Sequence, residues 1–295
     1  MERLIDVVRG YPPVTRSWCF AIMGCATLTT FKWVSKVVLL FHAERAFTNQ
    51  WWRLVTGFCF FDEWSLNLLV RIIMISFQCR RLEEMFETKR SLLPDVVRSF
   101  TPRQTATLQT FIDRNKSLDY LYFFLQICFT LVAGVTLCYY WYDLKTAPFM
   151  GNLLSEILLY YSCRSRPHAQ MNFLVFFNVR SVYIPFVNIL VGWLILGKPL
   201  DRIFEILEGK LSPIQTLFWW ESALTLSISH IFWFSRETLL SAVYYENDEK
   251  KTNARDATLA AHGIKKYNVV QKLLIVVFLP PWYWVIIPKI KNNVH

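Results

Sequence analysis

Apolar positions in this chain gather into long runs, not into the alternation of a half-buried strand or the three-in-seven spacing of a helix packed in water. With a window of about 20 residues, the length that crosses a hydrocarbon core, apolar segments stand out near 17 to 31, 65 to 79, 119 to 142, 148 to 163, 182 to 197 and 214 to 235. A seventh, VVQKLLIVVFLPPWYWVIIP at 269 to 288, carries Lys272 and is broken by Pro280-Pro281, with Trp282, Tyr283 and Trp284 directly after. Proline removes a backbone donor and crowds the preceding turn. This last stretch therefore predicts an interfacial or membrane-associated segment more than a straight span. The pattern predicts an all-α membrane protein with six transmembrane helices in residues 1–240, followed by a cytosolic tail at 241–295.

Segments 65 to 79 and 148 to 163 are short. At 1.5 Å of rise per residue they reach about 22 to 24 Å against a core of about 30 Å. Thinning of the bilayer, snorkelling or packing against partners accommodates such spans; the alternative is that the helices run past these apolar boundaries. Six spans put both termini on one side. With that side cytosolic, the segments 1–16, 80–118, 164–170 and 236–295 hold 22 Lys and Arg, the lumenal segments 32–64, 143–147 and 198–213 hold 8, and Arg71 and Arg180 lie in or beside a span. The positive-inside rule supports both ends in the cytosol.

Composition agrees with the pattern, since 54 % of residues are hydrophobic and 17 % aromatic, far above a globular average. The net charge of +10 is interleaved with apolar segments and not gathered in one basic module, so nucleic acid is excluded as a partner. The seven cysteines have no C-x-x-C spacing and mostly lie inside apolar runs. They read as buried free thiols, with no metal site, no disulfide framework and no cofactor. MERLIDVVRGYPPVTR mixes acidic residues with arginines and has no continuous apolar core, so the first span is expected to direct insertion without a cleavable signal.

Four islands recur in order along residues 11 to 235. Tyr11-Pro12-Pro13-Val14-Thr15-Arg16 precedes the first span, and Trp51-Trp52-Arg53-Leu54-Val55-Thr56 sits in the loop after it. Leu82-Glu83 follows the second span. Tyr161-Ser162-Cys163-Arg164-Ser165-Arg166-Pro167 and Tyr183-Ile184-Pro185 flank the region before the fifth. Together they resemble the Derlin family of rhomboid-like pseudoproteases; Trp52-Arg53, a motif shared with rhomboids, is the strongest single match. By chemistry alone, a guanidinium among amphipathic rings suits a loop in the headgroup layer, where it can meet phosphates. Where Derlins carry Gly-x-x-x-Gly-His on the sixth span, this chain has Thr225-Leu226-Ser227-Ile228-Ser229-His230. Thr225 and Ser229 keep small residues four apart for close helix approach. His230 reads as a polar packing residue or as part of a hydrophilic groove.

An intramembrane rhomboid protease needs a serine in Gly-x-Ser-Gly on the fourth span and a histidine on the sixth. Here Gly151-Asn152-Leu153-Leu154-Ser155-Glu156 has its serine at another offset. Aligned on the small-residue pair, the histidine position falls at Ser222, with His230 about 12 Å further along the axis. No catalytic residue is expected. Charged residues in or beside spans, Arg71, Glu156, Arg180 and Glu221, with Asn172, Asn178 and Asn188, could line a polar cavity. Arg180 either snorkels to the interface or pairs with Glu156.

The resemblance implies a six-helix rhomboid-like bundle in the endoplasmic reticulum membrane. It also implies non-enzymatic help in recognising misfolded protein clients and returning them to the cytosol for degradation, through local membrane thinning and a polar groove. The implied partners are a membrane RING ubiquitin ligase complex and, indirectly, a cytosolic AAA+ ATPase, whose Gly-rich Arg-Pro docking motif is missing from Glu246 to Lys266. The lipid bilayer and homo- or hetero-oligomers complete that list. The alternatives are a small-molecule transporter or channel, for which no internal repeat is visible, and a structural adaptor.

Overall fold

The computed structural model of the chain describes residues 10–142, 149–173, 177–195, 213–240 and 269–293, and each of the six apolar runs contains a helix. These are α1 (Pro13–Thr30), α5 (Leu66–Met85), α7 (Lys116–Tyr142), α8 (Met150–Ser165), α9 (Ile184–Ile195) and α10 (Pro213–Trp233). Between α1 and α5 lie three short helices, α2 (Lys36–Leu39), α3 (Ala43–Thr48) and α4 (Arg53–Cys59). α6 (Pro102–Arg114) precedes α7, and α11 (Val269–Phe278) and α12 (Pro281–Asn293) close the chain.

The apolar face of α5 is turned outward. Leu66, Leu69, Val70, Ile73, Met74 and Phe77 form one exposed stripe while Leu68, Ile75, Cys79 and Leu82 face the interior. α7 repeats this with exposed Leu118, Leu125, Phe129 and Leu137. In water such faces would be polar, and apolar stripes of this kind suit helices that border hydrocarbon. By length and apolarity, Lys116–Trp141 is the one single helix among the described residues that qualifies as a span, with mean hydropathy 2.0. Six helices answer to six expected spans, but composition singles out one.

The described residues are mostly helical, as an all-α membrane fold requires, with one short ribbon in which β1 (Gln170–Phe173) pairs antiparallel with β2 (Phe177–Arg180), Gln170 opposite Arg180. A bond from Ser181 N to Ala169 O, 2.8 Å, continues this ribbon to the start of α9. α5 is not short. Its polar end from Arg80 to Glu84 is helical too, which gives 20 residues and about 30 Å. α8, with 16 residues, remains at about 24 Å. Lastly, residues 80–118 are not a loop. Most are helical, including α6, which opens with Thr101 accepting from Gln104 N while the Gln104 side chain accepts from Thr101 N, a reciprocal cap.

The contacts divide the chain into two units. The first comprises Met1–Glu83 and Phe124–His230, and the second Glu84–Phe123 and Ile231–His295. In the first, Trp18 is central: its Nε1 donates to Phe58 O at 3.1 Å and its ring meets Phe61 and Phe124. In the second, Arg236 is buried over the rings of Phe86 and Phe123, its guanidinium carbon 4.2 Å and 5.2 Å from their centres.

Candidate functional site

The first unit holds two features with chemistry, the segment from α2 to α4 and a crevice between helices. Two residues beyond the end of α1, Lys32 has a φ of 58°, which puts a non-glycine residue in the left-handed region and redirects the chain. Phe31 stacks on Trp33 there, centroids 5.6 Å apart, and both are exposed. Trp51 and Val55 are also exposed, at 70 % and 60 %. Trp64 returns the chain to α1 through its Nε1, 3.0 Å from Thr27 Oγ1.

Arg53 points the other way. It is 2 % exposed, and it donates from Nη1 to Val37 O and Leu40 O and from Nε to Gln50 Oε1, at 2.5 to 2.6 Å. Loss of hydration, and then the nearby charge of Arg45, lower its pKa from the ordinary arginine value. The expectation that this guanidinium meets phosphates is corrected. A planar fork with several donors reaches two carbonyls at the end of α2 and a side chain before α4 at once, and satisfying those acceptors outweighs exposure. Trp52, half-exposed, begins α4 beside it. Gly57 of α4 lies against Phe41, where an added Cβ would be 3.1 Å from the Phe41 Cβ.

Two other islands become one object. The buried Glu83 carboxylate accepts from Val14 N at 3.2 Å, Thr15 N at 2.8 Å and Thr15 Oγ1 at 2.8 Å. α1 starts Pro12-Pro13, where Pro13 has no N–H to orphan. The first N–H groups that need a partner find an anion from 68 residues away, placed at the positive end of the helix. Leu82 is buried beside Glu83, and Arg16 lies half-buried in the first turn of α1. Gly151 of α8 explains itself similarly: a Cβ there would fall 2.6 Å from the Phe61 ring and 2.9 Å from Phe58 O.

The crevice is narrow and lined by Glu156, Leu159 and Tyr160 of α8, Pro185, Asn188 and Ile189 of α9, and Thr225, Leu226 and Ser229 of α10. Thr225 Oγ1 donates to Glu156 Oε2 at 3.3 Å, and Ser229 Oγ to Thr225 O. Arg71 of α5 donates to Asn152 Oδ1 at 2.5 Å. Thr225 and Ser229 thus belong to the crevice, while the close approach on α10 is made by Leu224 and Ile228 against Gly134 of α7. His230 is exposed, with Nδ1 2.8 Å from Tyr160 Oη. Ser155 Oγ donates to Asn152 O at 2.8 Å. Glu156 takes Thr225 as its hydrogen-bond donor, and Arg180 sits exposed at the end of β2. Asn172 and Asn178 are paired positions in the backbone register of the ribbon. Arg166 is exposed and Tyr183 is 55 % exposed, whereas Pro167 is half-buried and Pro185 buried. Among the described residues no cluster of His, Cys, Asp and Glu could hold a metal.

The packing roles of Gly151 and Gly134 and the bond from Arg53 to Gln50 are not legible in the sequence. Nothing local marks them; each matters through a neighbour distant in the chain or across a turn.

A helical protein with outward apolar stripes, an aromatic loop braced from within and a narrow crevice holding Glu156 and Thr225 has the character of a membrane protein. The model of the Der1-like family matches residues 11–219, and the chain belongs to that family. It is 24 % identical to Derlin-2.1 of Arabidopsis thaliana over 229 residues, 76 % of this chain and 75 % of that protein. It is 23 % identical to Derlin-2.2 of Zea mays, covering 77 % and 74 % of the two chains. A probable derlin-1 homolog of Dictyostelium discoideum is 24 % identical over 68 % of this chain and 69 % of its own.

Proposed function

We propose that this protein is a non-enzymatic membrane component of endoplasmic-reticulum-associated degradation that helps misfolded proteins reach the cytosol. Family membership supports the biological role. The observation that carries the mechanism is the loop of α2 to α4: Arg53 ties it together inside while Trp33, Trp51 and Val55 stay exposed. A braced apolar surface at headgroup depth disturbs lipid order and offers a hold to exposed apolar segments of a client. The 16-residue α8 favours a thinned bilayer beside it, and Glu156 with Thr225 sets a polar pair in the narrow crevice between α8, α9 and α10.

Six spans, both termini in the cytosol, and residence in the endoplasmic reticulum belong to this reading. So do a RING ubiquitin ligase complex, oligomers, and an AAA+ ATPase recruited through other subunits. Glu246 to Lys266 lie outside the described residues. Ser155 bonded to its own helix and His230 bonded to Tyr160 favour a role without proteolysis. A photocrosslinker at position 51 tests the proposal in membranes that are degrading a model misfolded protein. Adducts with the client are expected, and they should weaken when Arg53→Ala loosens the loop. Adducts with lipid alone, at unchanged rates of client loss in Arg53→Ala, would overturn it.

A further inference from the structure

The C-terminal helices α11 and α12 meet at a bend of 108° around Leu279-Pro280, so they do not form one straight span. With 10 and 13 residues they reach about 15 and 20 Å, too little for either to cross alone. Both are held at one end of α7. Asp119, in the first turns of α7 and 1 % exposed, accepts from Trp282 Nε1 at 3.0 Å, from Tyr283 Oη at 2.5 Å and from Thr88 Oγ1. Tyr122 Oη donates to Val277 O at 3.3 Å, and its ring meets Trp282 edge-on. Gln104 Nε2 of α6 reaches Lys291 O at 3.4 Å, and Phe111 packs on Tyr283.

Each helix then has two faces. Inward, Leu274, Ile275, Phe278, Tyr283, Ile287 and Ile290 are buried. Outward, Leu273, Val276 and Val277 are exposed on α11 at 59 %, 62 % and 44 %, and Trp284 and Val285 on α12 at 45 % and 56 %. Lys272 and Lys289 are exposed alongside them.

We propose that this helix pair is a membrane-seated elbow: its outward apolar faces lie in the headgroup layer of the leaflet at the Lys116 end of α7, held at that depth by Asp119. The occupant follows from position. α7 is the helix whose length and apolarity suit a crossing, so its first turns lie at a membrane surface, and an apolar face fixed to those turns borders lipid. Exposed lysines beside an apolar face suit phosphate headgroups. The segment lies beyond the residues that match the family model.

The test uses the full chain reconstituted in phosphatidylcholine vesicles, with a fluorescent non-canonical residue at position 285 or 276. Nitroxide lipids labelled near the headgroup should quench either probe at least threefold more than aqueous iodide does. Quenching by iodide and not by lipid overturns the proposal, and quenching by neither shows that a protein surface, such as a second copy, covers the face. The same probe at position 129 on α7 reports separately on the span: if deep nitroxide lipids fail to quench it there, the crossing itself is wrong, not the elbow alone.

Discussion

Single side chains here act mostly by answering distant backbone groups. Glu83 takes three donors from the start of α1, and removing it leaves a buried N–H and hydroxyl of Thr15 and the part-buried N–H of Val14 without an acceptor. Hydrogen bonds to charged groups contribute roughly 1.5–3 kcal/mol, so Glu83→Ala should destabilise by about 3 kcal/mol and Glu83→Gln by less, read as the melting temperature in detergent by size exclusion. Gly151→Val should be at least as damaging, because Phe58 O is backbone and cannot move aside; the check is the yield of monodisperse protein. Arg53→Lys should resemble Arg53→Ala, since one ammonium cannot span Val37 O, Leu40 O and the Gln50 side chain as a fork does. Proteolysis within residues 32–64 should rise several-fold in both; a Lys variant as resistant as the parent would show that charge alone suffices.

Among the elements, α11 and α12 depend on Asp119 in the same sense. Asp119→Ala orphans Thr88, Trp282 and Tyr283 together, and the expected outcome is faster trypsin cleavage at Lys272 and Lys289 with α7 still inserted. The break at Pro280-Pro281 was legible in the sequence because proline acts locally. α6 was not anticipated: its apolar positions are few, and Thr101 with Gln104 is a short signal inside a polar stretch. The β ribbon has no local signal either, for a different reason: strand pairing is decided by a partner.

At the scale of the whole molecule, orientation is the open consequence of the charge distribution. Asn115-Lys116-Ser117 is a glycosylation sequon, and Asn115 ends α6, its Nδ2 donating to Phe111 O at 2.8 Å. It should stay unmodified, both because the expected side is cytosolic and because a helix junction at a membrane surface hinders the transferase. An acceptor on a flexible spacer ahead of Pro12 should also stay bare. One placed on a spacer within 198–212, which lie outside the described residues, should gain an endoglycosidase-sensitive sugar. The reverse pattern would invert the topology and place the α2 to α4 loop on the other side.

By itself the sequence determined that the chain is a membrane protein, where its apolar runs lie, which run is broken, and which family it belongs to. Partition into hydrocarbon is a sum over neighbouring residues, so it can be read locally, and motif islands survive as short strings. The tertiary structure alone decided that the Pro-Pro-Val-Thr-Arg and Leu-Glu islands touch, that Arg53 turns inward, and that Thr225 meets Glu156. Those outcomes depend on which acceptors the packed helices bring within about 3 Å of a donor, and groups 68 or 69 residues apart carry no local record of one another.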